Sequence, residues 1–174
     1  MQSLFTRIDP EVFLVSGRHQ ERESMLVATW VLIVTLRPER GRVLMALSPK
    51  SLTAELVRAS RRFTVQLLSE GQQALIPRLG LVSGREADKL DTVEYDRTRR
   101  GLPVVMGACG WAECDVIAEL TTDERIVLLG RVVEEQVFSK RRPLRLSQAY
   151  RALPQDVFRA IDEQRLKDGE RDRP

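Results

Sequence analysis

Apolar residues recur at two spacings along this chain, and the spacings divide it into strands and helices. Residues 12–16 form a short apolar run that predicts a first strand, with Gly17-Arg18-His19-Gln20 as the turn after it. Residues 25–36, MLVATWVLIVTL, are rich in Val, Ile, Thr and Trp and carry no helix-start signal. They predict a buried strand with a bend at Ala28-Thr29. Arg37-Pro38-Glu39-Arg40-Gly41 predicts a hairpin-like connection, and residues 42–48 the next strand. The spacing then changes. Leu52, Leu56 and Ala59 share one face of a helix over 52–60, with Glu55, Arg58 and Arg61 outside. The arginines fall near its C-terminal end, where the helix dipole favours cations. A strand follows with Phe63, Val65 and Leu67 on one face.

The second half is read the same way. Residues 72–79 predict a short helix, 80–84 a loop, 85–90 a short helical piece, and 91–101 a polar surface strand and turn. Between 104 and 120, Ala112, Cys114, Val116 and Ala118 alternate with Glu113, Asp115 and Glu119, the pattern of a half-exposed strand. Residues 126–138 predict a long strand interrupted by Gly130, which marks a bulge or close packing. Thr121-Thr122-Asp123-Glu124 joins these two as a hairpin. After the basic, solvated loop Lys140-Arg141-Arg142, a last helix covers 154–164. About six strands joined by short turns predict antiparallel pairing, a mainly β barrel with short helices in its connections. One domain over 1–165 is expected, with a charged, disordered tail over 166–174.

One turn stands out chemically. Ser48-Pro49-Lys50-Ser51 leads from a strand into the helix at Leu52, and Thr53 lies in its first turn. Hydroxyls, a lysine and the free amides of a helix N-terminus meet there, a set that suits an anion, most often phosphate. Taken alone, Ser51 and Thr53 read first as helix caps. Lys89 reads as a phosphate ligand or as a lysine paired with Asp88. Trp30 reads first as a core tryptophan.

Composition narrows the classes. Lys+Arg 28 against Asp+Glu 25 leaves a net charge of +3, and aromatics are only 5%, so no basic, aromatic-interleaved platform for nucleic acid exists. The longest apolar run is too short to span a bilayer. Cys109 and Cys114 are not spaced as a CxxC pair and, with one histidine in the chain, make a zinc site improbable. A cytoplasmic protein with reduced, buried thiols is expected.

Four blocks resemble the flavin reductase-like, FMN-binding split-barrel family. They are Ser24-Met25-Leu26-Val27-Ala28-Thr29-Trp30, the run Leu47-Ser48-Pro49-Lys50-Ser51-Leu52-Thr53-Ala54-Glu55-Leu56, then Ser83-Gly84-Arg85-Glu86-Ala87-Asp88-Lys89-Leu90, and Ala112-Glu113-Cys114 with Leu128-Leu129-Gly130-Arg131-Val132-Val133. The resemblance implies an antiparallel split barrel, a homodimer, and FMN (with FAD the alternative) near the subunit interface. It also implies hydride transfer from NADH or NADPH to flavin, one form being the reductase component of a two-component monooxygenase. On that reading the backbone of Val27, Ala28, Thr29 and Trp30 faces the flavin ring, and Ser48, Lys50, Ser51, Thr53, Arg85 and Lys89 hold the phosphate tail. No protein nucleophile is needed, because the cofactor carries the chemistry. The chain departs from the family where an Asp-His pair is usual on the nicotinamide side, since Glu124 and Arg125 stand there. That departure leaves a flavin-binding electron carrier without NAD(P)H turnover as the alternative.

Overall fold

The computed structural model describes residues 7–171 apart from 87 and 139. Seven strands form one antiparallel sheet: β1 (Phe13–His19), β2 (Arg22–Ala28), β3 (Val31–Ile33), β4 (Arg42–Leu47), β5 (Arg62–Leu67), β8 (Gly110–Thr121) and β9 (Ile126–Val137). Their order across the sheet is β2-β1-β5-β8-β9-β4-β3. A small hairpin of β6 (Tyr95–Arg97) and β7 (Pro103–Val105) covers part of the outside. The helices are α1 (Leu52–Ser60), α2 (Leu75–Gly80), α3 (Leu146–Ala152) and α4 (Gln155–Arg171). The mainly β, antiparallel barrel architecture is the expected one. No described helix is long and apolar enough to cross a membrane.

The sheet curls around a core of Val15, Val43, Met45, Phe63, Val65, Cys114, Ile126 and Leu128, against which Ala54 and Val57 of α1 also pack. A second core, with Leu14, Met25, Leu79, Leu90 and Leu144, fills the space between the outer face of β1–β2 and the elements that cover it. Leu14 and Val15 are therefore both fully buried on opposite faces of one strand. That explains why β1 reads as a continuous apolar run rather than an alternating one.

Several local expectations need correction. β1 does not end at Ser16; it runs to His19, and the turn falls at Gln20, whose φ is 55°. Gly17 is a packing glycine, not a turn residue: a Cβ there would lie 2.8 Å from Val57 Cγ2 and 3.1 Å from the Thr53 carbonyl of α1. Residues 25–36 are not one buried strand. They split at the expected bend into β2 and β3, and β3 sits at the sheet edge with Leu32, Ile33, Val34 and Leu36 exposed. The buried face of α1 is Leu52, Thr53, Ala54, Leu56 and Val57, and Ala59 is exposed. Residues 85 and 86 lie in a turn rather than a helical piece, and a one-turn helix stands at Leu90–Thr92.

The alternation along β8 is also reset. The register shift between Val116 and Ala118 leaves Ile117 as the extra residue on β8 and exposes Ala118, whereas the shift at Glu113/Cys114 has its extra residue, Val133, on β9. Glu113 is fully buried, like Cys114 beside it. Arg100 lies with Nε 3.0 Å from a Glu113 oxygen, held by charge rather than by an aligned hydrogen bond.

Candidate functional site

β2 and β3 follow one another in the chain but stand at opposite edges of the sheet. The link between them, Thr29 and Trp30, crosses the seam of the barrel. A cleft of about 680 Å³ opens along this seam. Its floor is the end of β4, Ala46, Leu47 and Ser48, with the Ala46 amide donating to the Trp30 carbonyl at 3.0 Å. Val27, Ala28, Thr29 and Trp30 line one side. Lys50, Ser51, Leu52 and Thr53, the turn and first helical residues of α1, line another. The chain from Leu79 to Gly84 and the Lys89 side chain close a third.

The α1 end has the makings of an anion site. Ser51 is the N-cap: its Oγ accepts from the Ala54 amide at 3.1 Å and donates to the Ser48 carbonyl at 3.0 Å. Thr53 Oγ1 donates to Ser24 Oγ at 3.0 Å, and both residues are buried. The capping role expected for Ser51 is thus realised without removing it from the cleft. The amides of Leu52 and Thr53 belong to the first helical turn, which has no preceding intrahelical carbonyls to pair with them. The chain at Gly84 comes close over this turn. A Cβ at Gly84 would lie 2.7 Å from Ser24 Oγ and 3.2 Å from Leu52 Cδ2.

Lys89 is almost buried, and its Nζ donates to the Leu79 carbonyl at 2.7 Å. That carbonyl belongs to the last turn of α2, where the helix dipole favours a cation. Arg125 stands at the cleft with its guanidinium carbon 5.1 Å from the Trp30 ring centroid, a cation–π contact. Trp30 is 52% exposed, so it is not a core tryptophan. The expectation failed because the apolar run around it lies at an edge strand rather than inside the barrel. Lys50, Lys89 and Arg125 face one carboxylate, Asp162, among the described lining residues, which gives the cleft a positive field.

The structure brings together Val27, Ala28, Thr29, Trp30, Ser48, Lys50, Ser51, Thr53, Lys89 and Arg125. Arg85 and Glu124 lie outside the lining. Arg85 pairs instead with Glu55 on the outer face of α1 at 2.6 Å, and Glu55 also meets Arg22 at 3.0 Å. The hydrogen bond from Arg85 holds the Glu55 carboxyl below its ordinary pKa. Glu124 occupies the exposed β8–β9 turn, its carbonyl accepting from Arg125 at 2.7 Å. Two contributors carry no local signal of their own in the sequence, Asp162 and Gln164, which come from a polar C-terminal helix.

Hydroxyls, cations and helix-start amides thus gather in one cleft, and the fold is that of an antiparallel split barrel. A family model described as the flavin reductase like domain matches residues 5–153. The chain belongs to that family. It is 26% identical over 135 residues to a ferric-chelate reductase (NAD(P)H) of Archaeoglobus fulgidus, covering 76% of this chain and 79% of that protein. It is 23% identical over 135 residues to a high molecular weight rubredoxin of Moorella thermoacetica, of whose length it spans 58%. Among solved structures, an FMN-binding protein from Thermus thermophilus superposes with a TM-score of 0.72 at 25% identity, covering 82% of each chain.

Proposed function

We propose that this protein binds FMN in the seam cleft and acts as an NAD(P)H:flavin oxidoreductase. The observation that carries the reading is the convergence of the Val27–Trp30 backbone, the Ser48–Thr53 turn and Lys89 on one cleft. They are separate in sequence, and only the fold unites them. The phosphate would meet the Leu52 and Thr53 amides with Lys50 and Lys89 beside it, and the ring would lie along Val27, Ala28, Thr29 and Trp30. When bound, the flavin supplies the hydride-accepting ring. The chain's own groups bind, orient and neutralise charge. Arg85 enters this reading only by leaving Glu55, so it is assigned to closing the tail end rather than to direct phosphate contact. Glu124 and Arg125 stand on the nicotinamide side. Arg125 brings a permanent cation there in place of a titratable imidazole.

A cytoplasmic homodimer, one domain over 1–165 with a charged tail over 166–174, and service as the reductase partner of a two-component monooxygenase complete the proposal. The exposed apolar edge at β3 supports the dimer. The docking of Arg125 on Trp30 favours a second reading, a flavin-binding electron carrier without pyridine-nucleotide turnover, because Arg125 would then cover a ring face.

An absorbance spectrum after reconstitution with FMN, followed by anaerobic addition of NADH and of NADPH, separates these readings. Bleaching of bound flavin by either nucleotide supports the oxidoreductase. Bound flavin that neither nucleotide bleaches supports the carrier. Protein that takes up no flavin sinks both.

A further inference from the structure

The family match ends at residue 153, and α4 begins at Gln155. α4 is nonetheless part of the cleft wall: Asp162 and Gln164 are among its lining residues, as are Leu79, Gly80 and Leu81 at the end of α2. α4 contacts α2, and Ile161 packs against the core cluster that holds Ile76 and Leu79. Two helices in contact thus both reach the cleft, and they are held very differently. α2 buries Ile76 and Leu79. The neighbouring α3 buries Ala149, and its Ser147 donates to Asp9 with both its amide and its hydroxyl at 2.9 Å. No described residue of α4 is fully buried. Its apolar contacts include Ile161 on the core and Phe158, whose ring meets Tyr150 edge-on with centroids 4.3 Å apart. Leu153 and Pro154 alone connect it to α3.

An element with few buried contacts opens at a free energy well below that of the whole fold. α4 can therefore leave α2 while the barrel and α3 stay in place. Its departure would strip two residues from the cleft lining and open the cleft where α2 borders it. We infer that α4 is a strap on the flavin cleft, and that its undocking sets the rate at which flavin leaves. This rests on the flavin reading above and deepens it, because a docked α4 favours a flavin retained by the protein over one exchanged with solution.

Stopped-flow dilution of the FMN-loaded full-length protein, followed by recovery of flavin fluorescence, gives the release rate without turnover. Ile161→Ser weakens the docking of α4 without altering a lining residue. It should raise the release rate about tenfold, the scale of losing one half-buried apolar side chain. Arg159→Gln, on the exposed side of α4, should leave the rate unchanged. Hydrogen exchange of the unmodified protein needs no variant: α4 amides should exchange more slowly with FMN bound than without, while those of β8 and β9 stay as they are. If Ile161→Ser unfolds the protein, hydrogen exchange alone decides. A release rate unmoved by Ile161→Ser or raised equally by Arg159→Gln, or α4 amides that exchange alike with and without FMN, overturns the inference and leaves the flavin reading standing. Protein that binds no FMN removes both.

Discussion

Gly130 shows how far one residue can be constrained. A Cβ there would run into the Phe63 ring and lie 3.0 Å from the Cys114 Cβ. Both neighbours are fully buried in the barrel core, so neither has space to retreat. Gly130→Ala is expected to destabilise the fold by about 1–3 kcal/mol through overpacking, read as a lowered denaturant midpoint at unchanged slope. The same crowding governs the thiols. Burial pushes the Cys114 thiol up to about 12, with Glu113, Asp115 and Glu135 adding to the rise, and burial also raises Cys109. Both are protonated at neutral pH, and the thiolate is the reactive form. A thiol reagent at pH 8 should therefore label neither cysteine in the native protein and both after unfolding. Labelling of Cys114 at the rate of a free thiol would contradict the packing.

Elements carry a different kind of constraint. The β6–β7 hairpin is held to β2 by Glu23, which accepts from Arg97 at 2.6 and 2.9 Å and from Tyr95 at 3.2 Å. Burial raises the Glu23 pKa, but hydrogen bonding and charge from Arg97, with Tyr95 and Arg18, outweigh it and leave it below the ordinary 4.5. A lowered folded pKa means stability that is present above the unfolded value and lost as pH falls through the folded one. Glu23→Gln is expected to remove about 1–3 kcal/mol at pH 7 and to flatten the acid side of the stability profile below about pH 4.5. Thermal melts from pH 3 to 7 check both. At the cleft, Gly84→Ala would press on Ser24 and Leu52. It should weaken FMN binding by at least about tenfold, on the order of 1.4 kcal/mol, while the melting temperature moves less than for Gly130→Ala. Isothermal titration and melting together make that comparison.

Much of this was legible element by element. The bounds of α1, the bend at Ala28-Thr29 and the β8–β9 hairpin are local matters of spacing and turn chemistry, and they are seen as expected. The burial of Glu113 was not legible, because Arg100, which lies against it, comes from a turn elsewhere in the chain. Gly17 was misread for the same reason, since its packing partner Val57 lies forty residues away. The cleft was legible where its residues lie in contiguous blocks and invisible where α4 enters it, because a polar helix announces no target.

At the scale of the molecule, the exposed edge is the open question that the fold poses. β3 has one neighbour, β4, and it leaves Leu32 and Ile33 exposed, with Leu36 just beyond at 101%. An exposed apolar edge invites pairing with another chain. The homodimer proposed above should bury it, so Leu32→Lys combined with Leu36→Lys is expected to shift the protein to monomer in sedimentation at micromolar concentration. An unchanged mass would move the dimer contact elsewhere.

The seam also sets an order in time. The β8–β9 and β1–β2 hairpins are local and can form early, but the cleft exists only when the two ends of a seven-strand ribbon have come round to meet. That closure joins segments distant in sequence, which is the slow part of folding in β proteins. Competence to capture flavin should accordingly appear with the slowest refolding phase, after most strand signal has returned. In stopped-flow refolding with FMN present, quenching of flavin fluorescence should lag the far-UV signal, so that the cofactor reports the last event in building the barrel.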